Sequence, residues 1–247
     1  MSRYARVRAA SGAAWRAFVR RRVAVFFTFF FPAILVVIFG ALVRTGAGGT
    51  GLFVREADYY VAGYLAVVVL QTPLSRVSSE VARHREGNRF EKLATTPLTR
   101  AEWLLAQTLV NVVLVGVAAV IILALVTAST GASPALSPAL ALAVAAGTAL
   151  FCGFGALLGR LADSQDGAIT AANAVGLPLL FLSETFVPPV MLPAWFRPLL
   201  SLSPLTYFSR AARTATAGEG AGIALAVLVA LSVGFFLAGA LAIPRTD

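Results

Sequence analysis

Residues 104–127 read LLAQTLVNVVLVGVAAVIILALVT, an apolar run without one charged side chain. An α-helix needs about 20 such residues to cross the hydrocarbon core of a bilayer. The run is therefore long enough to span, and it predicts a transmembrane helix.

The composition of the whole chain indicates the same surroundings. Hydrophobic residues make up 59% of the 247 and charged residues 13%, and the mean hydropathy is +0.84. These values lie outside those of water-soluble domains. The formal net charge of +9 could indicate a nucleic-acid partner, but the basic residues flank apolar runs instead of covering a polar surface. The expected partner is the lipid bilayer, not nucleic acid.

Five further runs resemble residues 104–127, so the sequence predicts an all-α integral membrane protein with six transmembrane helices. The second run contains Gln71 and Pro73, where we expect a kink. Gly and Ala are abundant in the later runs, where helices must approach closely. The predicted membrane domain is 23–247, with spans at about 23–43, 59–77, 104–127, 137–159, 168–187 and 222–243.

Residues 1–22 do not form a span, but they show helical periodicity. Arg6, Arg16 and Arg20 fall opposite an apolar face formed by Tyr4, Val7, Ser11, Ala14, Trp15 and Phe18. This pattern predicts an amphipathic helix at the membrane surface. A disordered basic tail is the alternative.

The basic residues also predict the orientation in the membrane. Most of the 20 Arg and Lys residues lie before the first span, after the sixth, or in loops on the same side. Positively charged loops stay cytoplasmic, so we expect an inner (plasma) membrane protein with both termini in the cytoplasm. The long 184–221 connection then lies outside. The first span is longer than the apolar core of a cleaved signal peptide, so we expect none.

Few residues could perform catalysis. One cysteine, Cys152, and one histidine, His84, exclude a disulfide framework and a thiolate zinc site. His84 is expected to be solvated in a charged loop, and we expect no catalytic residue and no metal site. An intramembrane enzyme would need acidic side chains converging deep within the spans, and the sequence has none there. A secondary transporter or channel would need polar or ionisable groups at the midplane of the membrane and internal repeats, and we find neither in the sequence.

The charged segment 78–103 reads SSEVARHREGNRFEKLATTPLTRAEW, and its mixed signs favour a protein partner. Phe90, Leu93 and Ala94 predict a short amphipathic helix that fits a cleft in that partner. Gly87 would permit the turn before it. Thr99 and Glu102 form a capping-box pattern that begins the third span. A solvated loop without a partner is the alternative.

Two motifs resemble those of ABC-2 type transporter permeases. The first is Arg-Glu-Gly at 85–87, followed by Phe-Glu-Lys-Leu at 90–93 and Thr-Thr-Pro-Leu-Thr-Arg at 95–100. The second is FLSETFVPPVMLPAWFRPLLSLSPLTYFSRAAR at 181–213. The resemblance covers nearly the whole chain and implies an ABC-2 (type V exporter-like) permease fold with an N-terminal interfacial helix.

The resemblance also implies site residues. A coupling helix would seat in a separate nucleotide-binding (ATPase) subunit through Glu86, Gly87, Arg89, Phe90, Glu91, Lys92, Leu93, Pro97 and Leu98, and 160–167 would make a second contact. Prolines in 187–207 indicate re-entrant or interfacial helices, a plain loop being the alternative. The expected extracellular gate motif comprises Pro188, Pro193, Trp195, Pro204, Leu205 and Tyr207.

The implied assembly contains two permeases, the second being a copy or a paralogue, and two ATPase subunits that bind ATP and Mg²⁺. The lone lysine, Lys92, follows Glu91, so this chain has no G-x-x-x-x-G-K-[ST] phosphate loop. We therefore expect no cofactor in this chain. The implied activity is export of a hydrophobic or amphipathic substrate such as a drug or a lipid-linked molecule. The alternatives are polysaccharide (glycan) export and, outside this family, a secondary transporter or channel.

Two polar residues near the spans are candidates for the pathway, Gln71 and Glu184. Glu184 stands where the family usually has a small residue, and Arg210 where an acidic one is common. An ionisable group at membrane depth is costly, which favours a function for Glu184 and pairing with Arg210 or Arg197. Its side chain could alternatively extend outward to water.

Overall fold

The computed structural model describes residues 2–45, 57–186, 189–220 and 222–244. Within these ranges the chain is helical and contains no β-strand. A short 3₁₀ helix, Pro189–Met191, precedes α8. The α-helices are α1 Arg3–Val19, α2 Arg22–Thr45, α3 Ala57–Glu86, α4 Arg89–Ala94, α5 Arg100–Thr130, α6 Pro138–Leu161, α7 Gln165–Phe181, α8 Arg197–Leu200, α9 Pro204–Thr216 and α10 Ile223–Ala242.

Four of the described helices, α3, α5, α6 and α10, are each long and apolar enough to cross a bilayer. The pair α1 and α2, which meet at 86°, adds a fifth if it is counted as one broken span. Helix α7 has 17 residues, about 26 Å, which is slightly less than the hydrocarbon thickness. The all-helical membrane fold is thus confirmed, and the count of six spans stays a prediction.

Helix α3 is longer than the predicted second span. It passes without a break through Pro73 and ends only at Glu86, so residues 78–86 are helical and not part of a loop. No Gly or Pro interrupts 74–86, and basic residues in the last turn favour the negative end of the helix dipole. The charged connection to α5 is therefore short.

Helix α7 ends earlier than predicted, at Phe181 instead of residue 187. Ser183 and Thr185 follow it, and their hydroxyls hydrogen-bond to each other. Such side chains offer alternatives to helical backbone bonding. Residues 187 and 188 lie outside the described residues, and with them the predicted gate residue Pro188.

Glycines let α6 pack directly on its neighbours α10 and α3. A Cβ atom at Gly153 would lie 2.3 Å from the Phe235 carbonyl oxygen of α10. One at Gly159 would lie 2.4 Å from the Ser78 carbonyl oxygen of α3. The backbones of these three helices therefore approach to contact distance, as small residues allow in membrane bundles.

The bundle has two ends that differ in charge. One end is formed by the last residues of α3, α6 and α10 and the first residues of α5 and α7, and we call it the basic end. The opposite end carries the first residues of α3, α6 and α10 and the last of α5. The orientation of these ends relative to the cytoplasm stays a prediction.

Helix α1 lies against α5 at the basic end. Ala14 and Phe18 are buried beside Val110 of α5, whereas Trp15 remains 41% exposed. The predicted helix is present, but Arg6, which the sequence pattern places opposite the apolar face, does not face away from the bundle. Arg6 forms a bidentate pair with Glu102, at 2.5 Å (Nη2 to Oε1) and 3.0 Å (Nε to Oε2). The paired carboxylate turns this arginine toward α5.

Candidate functional sites at the two ends of the bundle

An aromatic cluster holds α4 against α3 and α5 at the basic end. The rings of His84, Phe90 and Trp103 lie 5.2 to 5.3 Å apart between centroids. Phe90 is 5% exposed and Trp103 is 6% exposed. Tilted and edge-to-face rings at these separations attract each other beyond the effect of burial. The short helix is thereby fixed to two long helices.

His84 differs from its prediction. It belongs to the last turn of α3 instead of a solvated loop, and it is partly buried. Its Nδ1 lies 2.8 Å from the carbonyl oxygen of Glu80. The reason is the extension of α3, which places this ring over Phe90.

The turn between α3 and α4 depends on Asn88 and not on Gly87 as predicted. Asn88 has φ 49° and ψ 33°, in the left-handed region. Asparagine tolerates this conformation better than most residues with a side chain. The turn directs α4 across the end of the bundle.

Two charged side chains at the end of α3, just before this turn, bind the ends of other helices. Arg85 donates to the carbonyls of Arg160 and Ala162, both at 2.8 Å, at the end of α6. The carboxylate of Glu86 accepts a hydrogen bond from the backbone N–H of Gln165, at 2.8 Å, in the first turn of α7.

Arg100 acts in the same way on α10. Its Nη1 donates to the carbonyls of Leu241 at 3.0 Å and Ile243 at 2.7 Å. A cation at a helix C-terminus or an anion at an N-terminus stabilises by only about 0.3–1 kcal/mol. The importance of these contacts is geometric, because they attach α6, α7 and α10 to the segment 85–100.

The predicted coupling residues occupy this segment, and most of them face outward. Phe90 is buried, and Leu93 and Leu98 are partly buried beside it. Thr99 and Glu102 form the predicted capping box, which is confirmed. The exposed members are Glu86, Gly87, Arg89, Glu91, Lys92 and Pro97.

An ion-pair cluster lies at the opposite end, around Glu184. Glu184 follows α7 and is 6% exposed. Both of its carboxylate oxygens accept from Arg210 Nε at 3.1 Å, and Arg213 Nη1 lies 3.8 Å from Oε2. The hydrogen bond with Glu184 raises the pKa of Arg210. Of the two predicted partners, the structure selects Arg210, since Arg197 donates to the Leu192 carbonyl instead.

Arg213 was not identified from the sequence. It donates to the carbonyls of Glu184 and Thr185, and its guanidinium lies 4.1 Å from the centre of the Tyr59 ring. The available signal was its position three residues after Arg210, on the same face of α9. Through Arg213 the turn after α7 is joined to the start of α3.

The predicted gate residues are divided between two places. Pro193 and Trp195 are exposed on the turn before α8, where Trp195 is 72% exposed. Pro204, Leu205 and Tyr207 lie in the first turn of α9, and Leu205 is fully buried. The structure thus has short helices in 189–216, and it does not bring all the predicted gate residues together.

A cavity of about 470 Å³ lies between α2, α3 and α7, near the basic end. Polar side chains from α3 line one wall, including Gln71, Thr72, Ser75 and Arg76. Gln71 is about 18 Å along α3 from Tyr59, which contacts Glu184. The two predicted pathway residues are therefore in different sites.

Sequence reasoning missed Arg76. The signal was an arginine inside the predicted second span, 59–77.

A larger groove, about 980 Å³, lies between α1 and α5 and is mostly apolar, with Tyr4, Trp15, Leu105 and Leu109 among its lining residues. Its composition suits acyl chains, whereas the α2–α3–α7 cavity combines charge with apolar surface.

Comparison with known proteins agrees with this architecture. A family model described as ABC-2 type transporter matches residues 6–216, from the first turn of α1 to the end of α9. No curated protein matches the chain. Members of this family normally work with an ABC ATPase subunit. The chain belongs to the ABC-2 type transporter family and is an integral membrane permease component of an ABC transporter.

Proposed function

We propose that this permease forms the pathway of an ATP-driven exporter in the plasma (inner) membrane, with the basic end in the cytoplasm. A separate ATPase subunit would contact the segment 86–98. The observation that supports this proposal is the attachment of residues 85–103, which include this segment, to five helices. Arg85, Glu86 and Arg100 bind α6, α7 and α10, while the aromatic cluster fixes α4 to α3 and α5.

Such attachments suit transmission of a movement. A displacement of α4 by a closing ATPase pair would act at once on the ends of α3, α5, α6, α7 and α10. Packed helices respond by rigid-body shifts between discrete arrangements. ATP binding would thereby change the relative populations of inward-facing and outward-facing states.

The proposed substrate is a hydrophobic or amphipathic molecule, such as a drug or a lipid-linked compound. Support comes from the α2–α3–α7 cavity, which has apolar residues of α2 such as Phe27 opposite polar residues of α3. Its volume falls within the range of about 300–1,000 Å³ usual for small-molecule sites. A second permease, identical or paralogous, would complete the pathway.

The test co-expresses the chain with the products of its neighbouring genes and purifies it in detergent. The ATPase is expected to co-purify, and Glu91→Ala is expected to weaken its binding by about three- to tenfold, because an exposed charge at an interface contributes modestly. ATP hydrolysis should also lose its dependence on substrate. The measurement is the dissociation constant by titration, together with the ATPase rate.

Glu219→Ala is the matched control, since Glu219 is an exposed glutamate at the opposite end. It should bind the ATPase like the unchanged protein. Failure of any ATPase to associate with the folded permease would contradict the proposal. If both substitutions weakened ATPase binding equally, the contact could not be assigned to residues 86–98.

A further inference from the structure

Arg76 lines the α2–α3–α7 cavity, and its guanidinium lacks a carboxylate partner. Among the described residues no Asp or Glu oxygen lies within 4 Å of it. The nearby carboxylate of Glu80 is paired with Arg83 and lies 3.5 Å from Arg21. The positive charge of Arg76 is therefore not neutralised by a direct ion pair.

The hydrogen bonding of Arg76 is also incomplete. Its Nη2 donates to the Ala14 carbonyl at 3.4 Å, a long hydrogen bond, and its guanidinium lies 4.7 Å from the centre of the Phe18 ring. Its Nη1 is buried without a hydrogen-bond partner. A buried charged donor left unpaired is unfavourable. A ligand that supplies an anionic oxygen would remove this cost.

Gln71 lines the same cavity five residues earlier on α3, about 7.5 Å along the helix axis. Its Oε1 is buried and has no hydrogen-bond partner. Arg76 and Gln71, both in the α3 wall of this cavity, therefore each have one hydrogen-bonding atom that is buried behind the cavity surface and has no partner. Phe27, Pro32 and Val67 provide apolar surface in the same space.

We propose that this cavity binds an amphiphile with an anionic oxygen headgroup, a phosphate or a carboxylate, held by Arg76. A guanidinium binds such groups through two parallel hydrogen bonds. The Arg76 side chain turns from Phe18 into the cavity, which breaks one long hydrogen bond and one cation–π contact. The amide of Gln71 turns from Gly176 of α7 into the cavity and accepts from a hydroxyl or amine near the headgroup. The apolar wall receives the tail. This inference rests on the proposed function, for which it names the substrate class.

The test measures binding to the purified permease with its ATPase in a neutral maltoside detergent. Dodecyl phosphate and dodecanoate should raise the midpoint of thermal unfolding, and dodecyltrimethylammonium and inorganic phosphate should not. Arg76→Gln should weaken the apparent affinity for dodecyl phosphate at least tenfold. Arg16→Gln, which removes an exposed arginine of α1, should leave it unchanged.

Arg76→Lys keeps the positive charge but not the two-pronged geometry of a guanidinium, so it should bind dodecyl phosphate with intermediate affinity. It provides the test if Arg76→Gln fails to fold. Wild-type affinity in Arg76→Gln, or equal loss in Arg16→Gln, would overturn the inference. Equal stabilisation by inorganic phosphate would overturn the requirement for a tail, and by the cationic detergent the requirement for an anion. Because the readout is binding of an amphiphile, the inference can fail while the ATPase still associates.

Discussion

The substitution Gly153→Ala is expected to lower the free energy of unfolding by about 3 kcal/mol, near the upper end of the cost of overpacking. The new Cβ would lie 2.3 Å from the Phe235 carbonyl oxygen and 2.4 Å from its carbon. These are backbone atoms of α10 and cannot rotate away like a side chain. Helices α6 and α10 must therefore move apart, which removes contacts along their length.

The measurement is the midpoint of thermal unfolding in detergent. The control is Gly234→Ala. Gly234 lies on α10, where an added Cβ would have no heavy atom within 4 Å. Alanine favours a helix more than glycine does, so the control should be as stable as the unchanged protein or slightly more so. Equal stability of the two variants would show that α6 and α10 are not in direct contact.

Replacement of Glu184 by alanine is the second change with a large expected effect. Loss of one partner from a fully buried ion pair costs about 3–5 kcal/mol. Arg210 is 44% exposed in its side chain, so water screens part of the remaining charge. We therefore expect a loss of about 2 kcal/mol, together with loosening of the turn between α7 and α8.

Thermal unfolding and limited proteolysis at residues 189–203 would measure both effects. Glu219→Ala removes an exposed glutamate near the same end and should change neither. Arg210→Ala combined with Glu184→Ala should cost less than the sum of the two single changes, because the residues interact. Additive effects would contradict the ion pair.

Hydrophobic run lengths predicted the membrane fold because each span must satisfy its backbone internally as a helix. They could not locate helix ends, which depend on tertiary contacts. Helix α3 continues to Glu86 since His84 packs on Phe90 and Trp103. Helix α7 stops at Phe181, where hydroxyls and the Glu184 cluster replace helical hydrogen bonds.

The candidate sites were predictable in part. Motif resemblance predicts that the segment 86–98 contacts the ATPase, which stays a prediction. Glu184 was selected because it departs from the motif, and the capping box at Thr99 followed from local sequence. Arg85, Arg100 and Arg213 were missed because each acts on a helix distant in sequence. Arg76 was missed because averaging over a window of about 20 residues hides one charge among apolar neighbours.

Site-specific photo-crosslinking would test the account most directly. A benzophenone amino acid placed at Lys92, exposed on α4, should form a covalent adduct with the ATPase subunit. The same group at Leu136, which is 79% exposed at the opposite end, should form none. An adduct from position 136, or none from position 92 in an intact complex, would contradict the assignment of the basic end as the site where the ATPase acts.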